Sequence, residues 1–429
     1  MADIKPPGKD WRVILTLLIS ALGILFFIVQ AFALGVFWLT SILDPTVSTQ
    51  QSISIGLLLW TSVLGGFLLI PLLLLSVYRF RGDPVPQWMD AQRPEFNKKL
   101  SWVILAWPVA VALGWLVASN KDLAVFLLGP INVLVAGLPV LWIFHVARRG
   151  LSGGSHMRQW RIFAFSITLL PITVILVELL AIALIGGAGW IWMSLRFMAD
   201  PQLERDITFL INQVMIFGED LDGLIQFLEP YILQPGVIYW VLAVFGGILP
   251  IVEEVLKPLA LWGLVRRKLT QQEGFVGGML CGAGFALMEN IFYFTNVLLA
   301  EDWLFMAVGR AGTGVLHILA SGLVGWGLAK AWQEGKWAFL ALLTLGAFVL
   351  HGLWNAFALV SGVAPFVVLG TEPTLGQMLL YYSPLVLLLL VSIISLLLIN
   401  RHLRPKASSG ESLTVKRSSE GASDPGRTN

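Results

Sequence analysis

A single cysteine, Cys281, stands in a chain of 429 residues. One thiol excludes an internal disulfide framework and a zinc site built on cysteines. Charge is also scarce, at 13% of residues with a net balance of +2, which gives no footing for a nucleic-acid or acidic partner. The chain shows no tandem or inverted repeat clear enough to use. No cleavable targeting segment is expected either. Lys5, Lys9 and Arg12 precede an apolar run in which Ala31-Phe32-Ala33 mimics a cleavage site, but the run continues through "LGVFWLTSIL". It is too long for a signal peptide and is expected to be the first membrane span.

What is abundant is apolar side chain, 57% of residues, gathered into blocks of about twenty or more. Backbone groups in hydrocarbon must be satisfied internally, and closed-barrel strands would be about 10 residues long and alternating. The expected fold class is therefore all-α, a polytopic integral membrane helix bundle. Ten spans can be drawn: Val13–Leu39, Ile53–Val77, Leu100–Val117, Leu123–Val146, Ile162–Ile185, Val237–Val265, Gly274–Leu299, Leu304–Trp332, Trp337–Ser361 and Met378–Asn400. Trp11, Trp38, Trp102, Trp160, Trp262, Trp303, Trp332 and Trp337 fall near their ends, as interfacial anchors do.

Basic residues set the orientation. With the N-terminus inside, the inner connections gather Arg79, Arg81, Lys98, Lys99, Arg148, Arg149, Arg266, Arg267, Lys268, Arg401 and Arg404, whereas the outer ones hold Lys121, Arg196 and Arg205. Both termini are expected to be cytoplasmic. The long outer connection, 186–236, suits either an amphipathic helix capping the bundle around "LERDITFLINQVMIF" or a solvated loop. Residues 401–429 are too polar to fold and are expected to form a disordered cytoplasmic tail.

An ion in mid-bilayer costs about 2.5–3.5 kcal/mol, so each one needs a partner or a wet cavity. Here such residues fall in four consecutive spans: Glu253, Glu254 and Lys257; Glu289 and Asn290; His317 and Ser321; His351 and Asn355. Glu253, Glu289, His317 and His351 each lie about 13–16 residues from an end of their span, roughly 20–24 Å along a helix, so all four can share one level. Glu253/Lys257, Phe285/Glu289, His317/Ser321 and His351/Asn355 are i, i+4 pairs, and each projects from one helix face. Pro250 and Pro258 bracket the carboxylates and are expected to free the carbonyls of Gly246 and Glu254. Gly274, Gly278 and Gly282, continued by Ala286 and Asn290, make a smooth strip for close helix approach.

These residue types suit hydrolysis of an amide within the membrane. A partly desolvated carboxylate beside a second carboxylate and an ammonium can take a proton from water. The two glutamates titrate as a pair, and the sequence does not say which is the base. Imidazoles and the Asn355 amide are donors for an oxyanion, and Lys257 orients and compensates a glutamate. The competing structural readings are an ion pair for Glu253, Glu254 and Lys257, a hydrogen-bonded core acid for Glu289, packing for the histidines, and helix bridging for Asn290, Ser321 and Asn355. Cys281 is small buried packing, Arg310 snorkels near the outer end of its span, and Glu178 in the fifth span is unexplained.

In order on successive helices, "EEVLK" (253–257), "FALMEN" (285–290), "HILAS" (317–321) and "HGLWN" (351–355) resemble the PrsW family of intramembrane proteases, itself related to the CAAX prenyl endopeptidases. The resemblance implies a protease domain over 162–400, with a motif core at 236–361, following a four-span region, 1–161, without an assigned role. It further implies a multi-pass protein of a bacterial-type plasma membrane that cleaves a membrane-anchored protein, such as an anti-sigma factor. CAAX-type relatives carry a histidine where this chain has Glu289, so a prenylated substrate is not implied.

Two mechanisms remain open. Glutamate-activated water without metal is favoured, because Lys257 one turn from the carboxylates is a poor neighbour for a divalent cation. The alternative is zinc held by His317 and His351 with Glu254 or Glu289, a catalytic ligand count, and PrsW-like proteins have been classed as metalloproteases. Outside proteolysis, mid-membrane carboxylates on proline-broken helices also build proton-coupled transporters. A catalytically inactive membrane scaffold is the third reading.

Overall fold

The computed structural model describes residues 10–86, 89, 98–217, 221–265, 268–294, 300–367 and 374–405. Secondary structure among them is entirely helical, and ten helices are long and apolar enough to cross a membrane. Their positions follow the spans drawn from composition. Lys5, Lys9, Arg266, Arg267 and the expected tail beyond Pro405 lie outside the described residues.

The first four spans are α1 (Trp11–Leu43), α2 (Thr49–Arg81), α3 (Ala106–Ala118), entered through a short 3-10 turn, and α4 (Lys121–Ala147). The fifth breaks at Thr168 into α5 (His156–Ile167) and α6 (Leu169–Ala199), the latter running well past the expected end at Ile185. Two amphipathic helices, α7 (Pro201–Phe217) and α8 (Leu221–Ile232), fill the long connection, so its helical reading holds over the described part. Then come α9 (Pro235–Ala243), a π-helical turn (Val244–Ile248), α10 (Leu249–Leu256), α11 (Gln271–Phe294), α12 (Ala300–Glu334), α13 (Trp337–Val367) and α14 (Leu375–Leu403).

The centre of the bundle is the α11–α12 pair, with 83% of each apolar window buried, against 11% for α1 and α14. Glycine explains the pairing. A Cβ at Gly274, Gly278 or Gly282 would collide with the carbonyl oxygen of Gly325, Ser321 or His317 on α12, so the strip expected from sequence is where two backbones touch. Gly278→Val is expected to cost about 1–3 kcal/mol or more in thermal unfolding in nanodiscs. Gly346→Ala, which faces open space, serves as the near-neutral control.

Spans two to four pack onto this pair through a shared core containing Leu57, Ala110, Ala124, Val135, Leu287 and Trp303. Trp303, expected to be an interfacial anchor, is instead buried beside Gly114, its indole N–H donating to Asn132 Oδ1 at 2.8 Å. A Cβ at position 114 would overlap its ring.

Polar contacts place Arg12 and Arg404 on one face of the bundle. Arg161 Nη2 donates to Arg12 O (3.2 Å), Arg158 pairs with Glu273 (3.2 Å), and Gln272 Nε2 donates to Leu403 O (2.8 Å). Asn400 Nδ2 donates to Ala147 O and Arg149 O at 2.7 and 2.9 Å. The starts of α1, α5 and α11 and the ends of α4 and α14 therefore share that face.

Candidate active site

The site begins with two prolines. Proline at 250 has no N–H to donate, and the chain just before it widens into the π register, in which Leu249 N donates to Val244 O. In that register the carbonyl that would meet residue 250 is Phe245, and it is this oxygen that accepts from Asn355 Nδ2 at 3.1 Å. The freed carbonyl is thus displaced by one residue from the expected Gly246, because the helix is π rather than α there. Gly352, one turn before Ala356 on α13, lets that helix close on Gly246, whose carbonyl oxygen a Cβ at 352 would strike. Pro258 ends α10: Lys257 N closes the last turn onto Glu253 O (2.8 Å), and the ammonium side chain leaves the helix terminus.

Glu253, Glu254, Lys257, His317 and His351 are all buried. Lys257 Nζ lies 2.8 Å from Glu253 Oε2, 2.7 Å from Glu254 Oε1 and 2.7 Å from His317 Nδ1, and 4.5 Å from the centre of the Phe285 ring. Three acceptors from two helices thus converge on one ammonium, with an aromatic face as a fourth neighbour. An ammonium only donates, so His317 Nδ1 accepts, and Nε2–H donates to Glu289 Oε2 at 2.8 Å. Across the cluster, His351 Nδ1 donates to Glu254 Oε1 at 3.0 Å. That leaves its Nε2 lone pair 3.9 Å from Glu253 Oε2. The two imidazoles sit edge to face, 4.8 Å between ring centres.

Arg310 corrects the sequence reading. Rather than snorkelling, its Nη2 donates to Glu289 Oε2 at 2.5 Å, its Nε donates to Asn290 Oδ1 at 2.8 Å, and it lies 4.3 Å from the Tyr293 ring centre. The signal was present, since Arg310 precedes His317 by two helical turns and shares its face. Asn290 is buried and also donates to Arg310 O at 3.2 Å, a helix bridge. Asn355, one turn after His351, is held on Phe245 O and braces the π turn. Ser321 is buried with its Oγ lacking a hydrogen-bond partner among the described residues. Cys281 packs in an apolar cluster with Ile162, Leu261 and Ala320. Glu178 continues the α6 face of Leu170 and Val174, which packs on Phe285, and lies within electrostatic reach of Glu253, Glu289 and Lys257.

One potential ligand atom from each of Glu253, Glu254, His317 and His351 lies within 4.8 Å of the others, a donor set of the kind that holds zinc. As arranged, however, Lys257 Nζ lies at hydrogen-bond distance from three of the four, Glu253, Glu254 and His317. Zinc needs its ligands at about 2.0–2.2 Å, so a divalent ion there would first have to displace the ammonium.

Compared with known proteins, residues 210–390 match the family model described as PrsW family intramembrane metalloprotease. The matched stretch begins in α7, ends within α14, and contains all four motif helices. It supports an intramembrane peptidase acting on a membrane-protein substrate. No curated protein and no solved structure matches the chain.

Proposed function

We propose that this chain is an intramembrane endopeptidase that hydrolyses a peptide bond of a membrane-anchored protein by glutamate-activated water, without a resident metal. The observation that carries the reading is the meeting of Glu253, Glu254, Lys257, Glu289, His317 and His351, from four helices, around one buried ammonium. Mid-membrane charge is too costly to gather by chance, and the PrsW match covers the helices that supply it.

In this mechanism Glu253 is the base. Each carboxylate keeps an Oε2 without a hydrogen-bond partner among the described residues, but Glu254 is wholly buried with its Oε1 committed to Lys257 and His351, whereas Glu253 retains slight exposure and its Oε2 faces the open His351 nitrogen. Glu253 takes a proton from water as the hydroxide adds to the scissile carbonyl carbon. His351 Nε2 receives that proton and delivers it to the leaving nitrogen as the C–N bond breaks. Lys257 compensates the two carboxylates, and the imidazolium of His351 supplies a donor while the tetrahedral oxyanion exists. The Arg310–Glu289 pair fixes the His317 ring, which in turn fixes Lys257.

Regulators such as anti-sigma factors enter as the substrate class through family resemblance alone. Assignment of the protease domain to 162–400, with 1–161 as a separate region, and of the basic face to the cytoplasm of a bacterial-type cell membrane, belongs to the same proposal.

Proteoliposomes containing the purified protein and a single-span substrate test this. Cleavage is expected. Proton-coupled uptake without cleavage would make the chain a transporter, and stable association without product would make it a scaffold. In the same assay Arg310→Gln is expected to slow cleavage about ten- to hundred-fold, the worth of a charged hydrogen bond. Arg310→Lys should restore it only partly, since one ammonium cannot replace the fork that reaches Glu289 and Asn290 together.

A further inference from the structure

A cavity of about 830 Å³ lies on the side of α11 turned away from the carboxylates, walled by α2, α4, α5 and α11. Its lining changes character along its length. The limb within the bundle is apolar, made by Leu64, Leu68, Leu134, Leu141 and Leu287, and opens where Gly137 has no side chain. The other end reaches the basic face described above and carries His145, Arg148, Arg149, His156 and Gln159. Arg148 has no carboxylate in ion-pair reach among the described residues, and its guanidinium is stacked 5.2 Å from the Phe144 ring centre. Burial lowers its pKa from the ordinary arginine value, a sign that the charge is short of water.

Two guanidiniums and two imidazoles at the mouth of an apolar slot match an occupant with an anionic head and a hydrocarbon tail. Basic pockets between transmembrane helices bind lipid headgroups in this way. We propose that the cavity is a binding site for one anionic phospholipid, with its phosphate against Arg148 and Arg149 and an acyl chain along Leu134, Leu141 and Leu287. Spans two and four thereby acquire a role, since they form one wall of the site while α11, the helix that carries Glu289, forms the other. The proposal stands independently of proteolysis.

Native mass spectrometry of the full-length protein, delipidated and then offered phosphatidylglycerol or phosphatidylcholine, tests it. One phosphatidylglycerol should be retained with a preference of about ten- to thirty-fold, the worth of two basic residues near a headgroup. Inorganic phosphate should not displace it. Arg148→Gln/Arg149→Gln should erase the preference, and Gly137→Leu, which fills the apolar limb without touching a charge, should remove the bound lipid, both at unchanged unfolding temperature. Equal retention of the two lipids by the wild type, or undiminished phosphatidylglycerol in both variants, overturns the assignment. So does a photoreactive residue at Leu134 that captures substrate peptide instead of lipid.

Discussion

Glu253→Gln is expected to lower cleavage by about 10²–10⁴-fold, the usual contribution of a positioned general base, with little change in unfolding temperature. The amide keeps the shape of the side chain but cannot take a proton. Lys257 retains Glu254 and His317 as acceptors, so the cluster stays closed. Glu254→Gln should be as inactive but for a different reason, and it should also be less stable. Its Oε1 is the joint acceptor of Lys257 and His351, and weakening it releases both the ammonium and the imidazole that relays the proton. Rates on a single-span substrate in proteoliposomes, read beside unfolding temperatures, separate the two glutamates. A Glu253→Gln protein that cleaves at the wild-type rate would remove Glu253 from the chemistry.

Lys257→Met should have the largest effect on stability. The substitution leaves two buried carboxylates beside each other without a cation, and breaking a buried pair by deleting one partner costs about 3–5 kcal/mol. Lys257 is itself fully buried, among the largest side chains in the protein with almost no exposure, so solvent offers the orphaned carboxylates little relief. The double variant Lys257→Met/Glu254→Gln should recover part of that loss, because it removes one of the two unpaired charges. A double-mutant cycle on unfolding in nanodiscs measures the coupling. Additive losses would mean that the ammonium and Glu254 do not interact as placed.

Long apolar runs made the fold legible from sequence, because in hydrocarbon composition alone decides between helix and anything else. The site was legible for a related reason. Charge at mid-bilayer needs a partner, so Glu253, Lys257, Glu289, His317 and His351 marked themselves, and equal depth in four helices brought them to one level. What remained hidden depended on local register. The π turn before Pro250 moved the freed carbonyl from Gly246 to Phe245, where Asn355 Nδ2 donates to it. Arg310 was misplaced because its helix begins at Ala300, ahead of the expected Leu304, which sets the guanidinium further into the bundle, while its seven-residue spacing from His317 had already fixed the shared face. Helix ends depend on caps and tertiary contacts more than on hydropathy, which also explains why α6 outran the drawn span.

In the proposed mechanism an ammonium, rather than a metal, holds the carboxylates and imidazoles of this site together. Metal content measured on the purified, active protein, together with its cleavage rate before and after a strong chelator, separates the ammonium from a metal in that role. Substoichiometric metal and an unchanged rate are the expected results. One zinc ion per chain, whose removal abolishes cleavage and whose return restores it, would contradict the account.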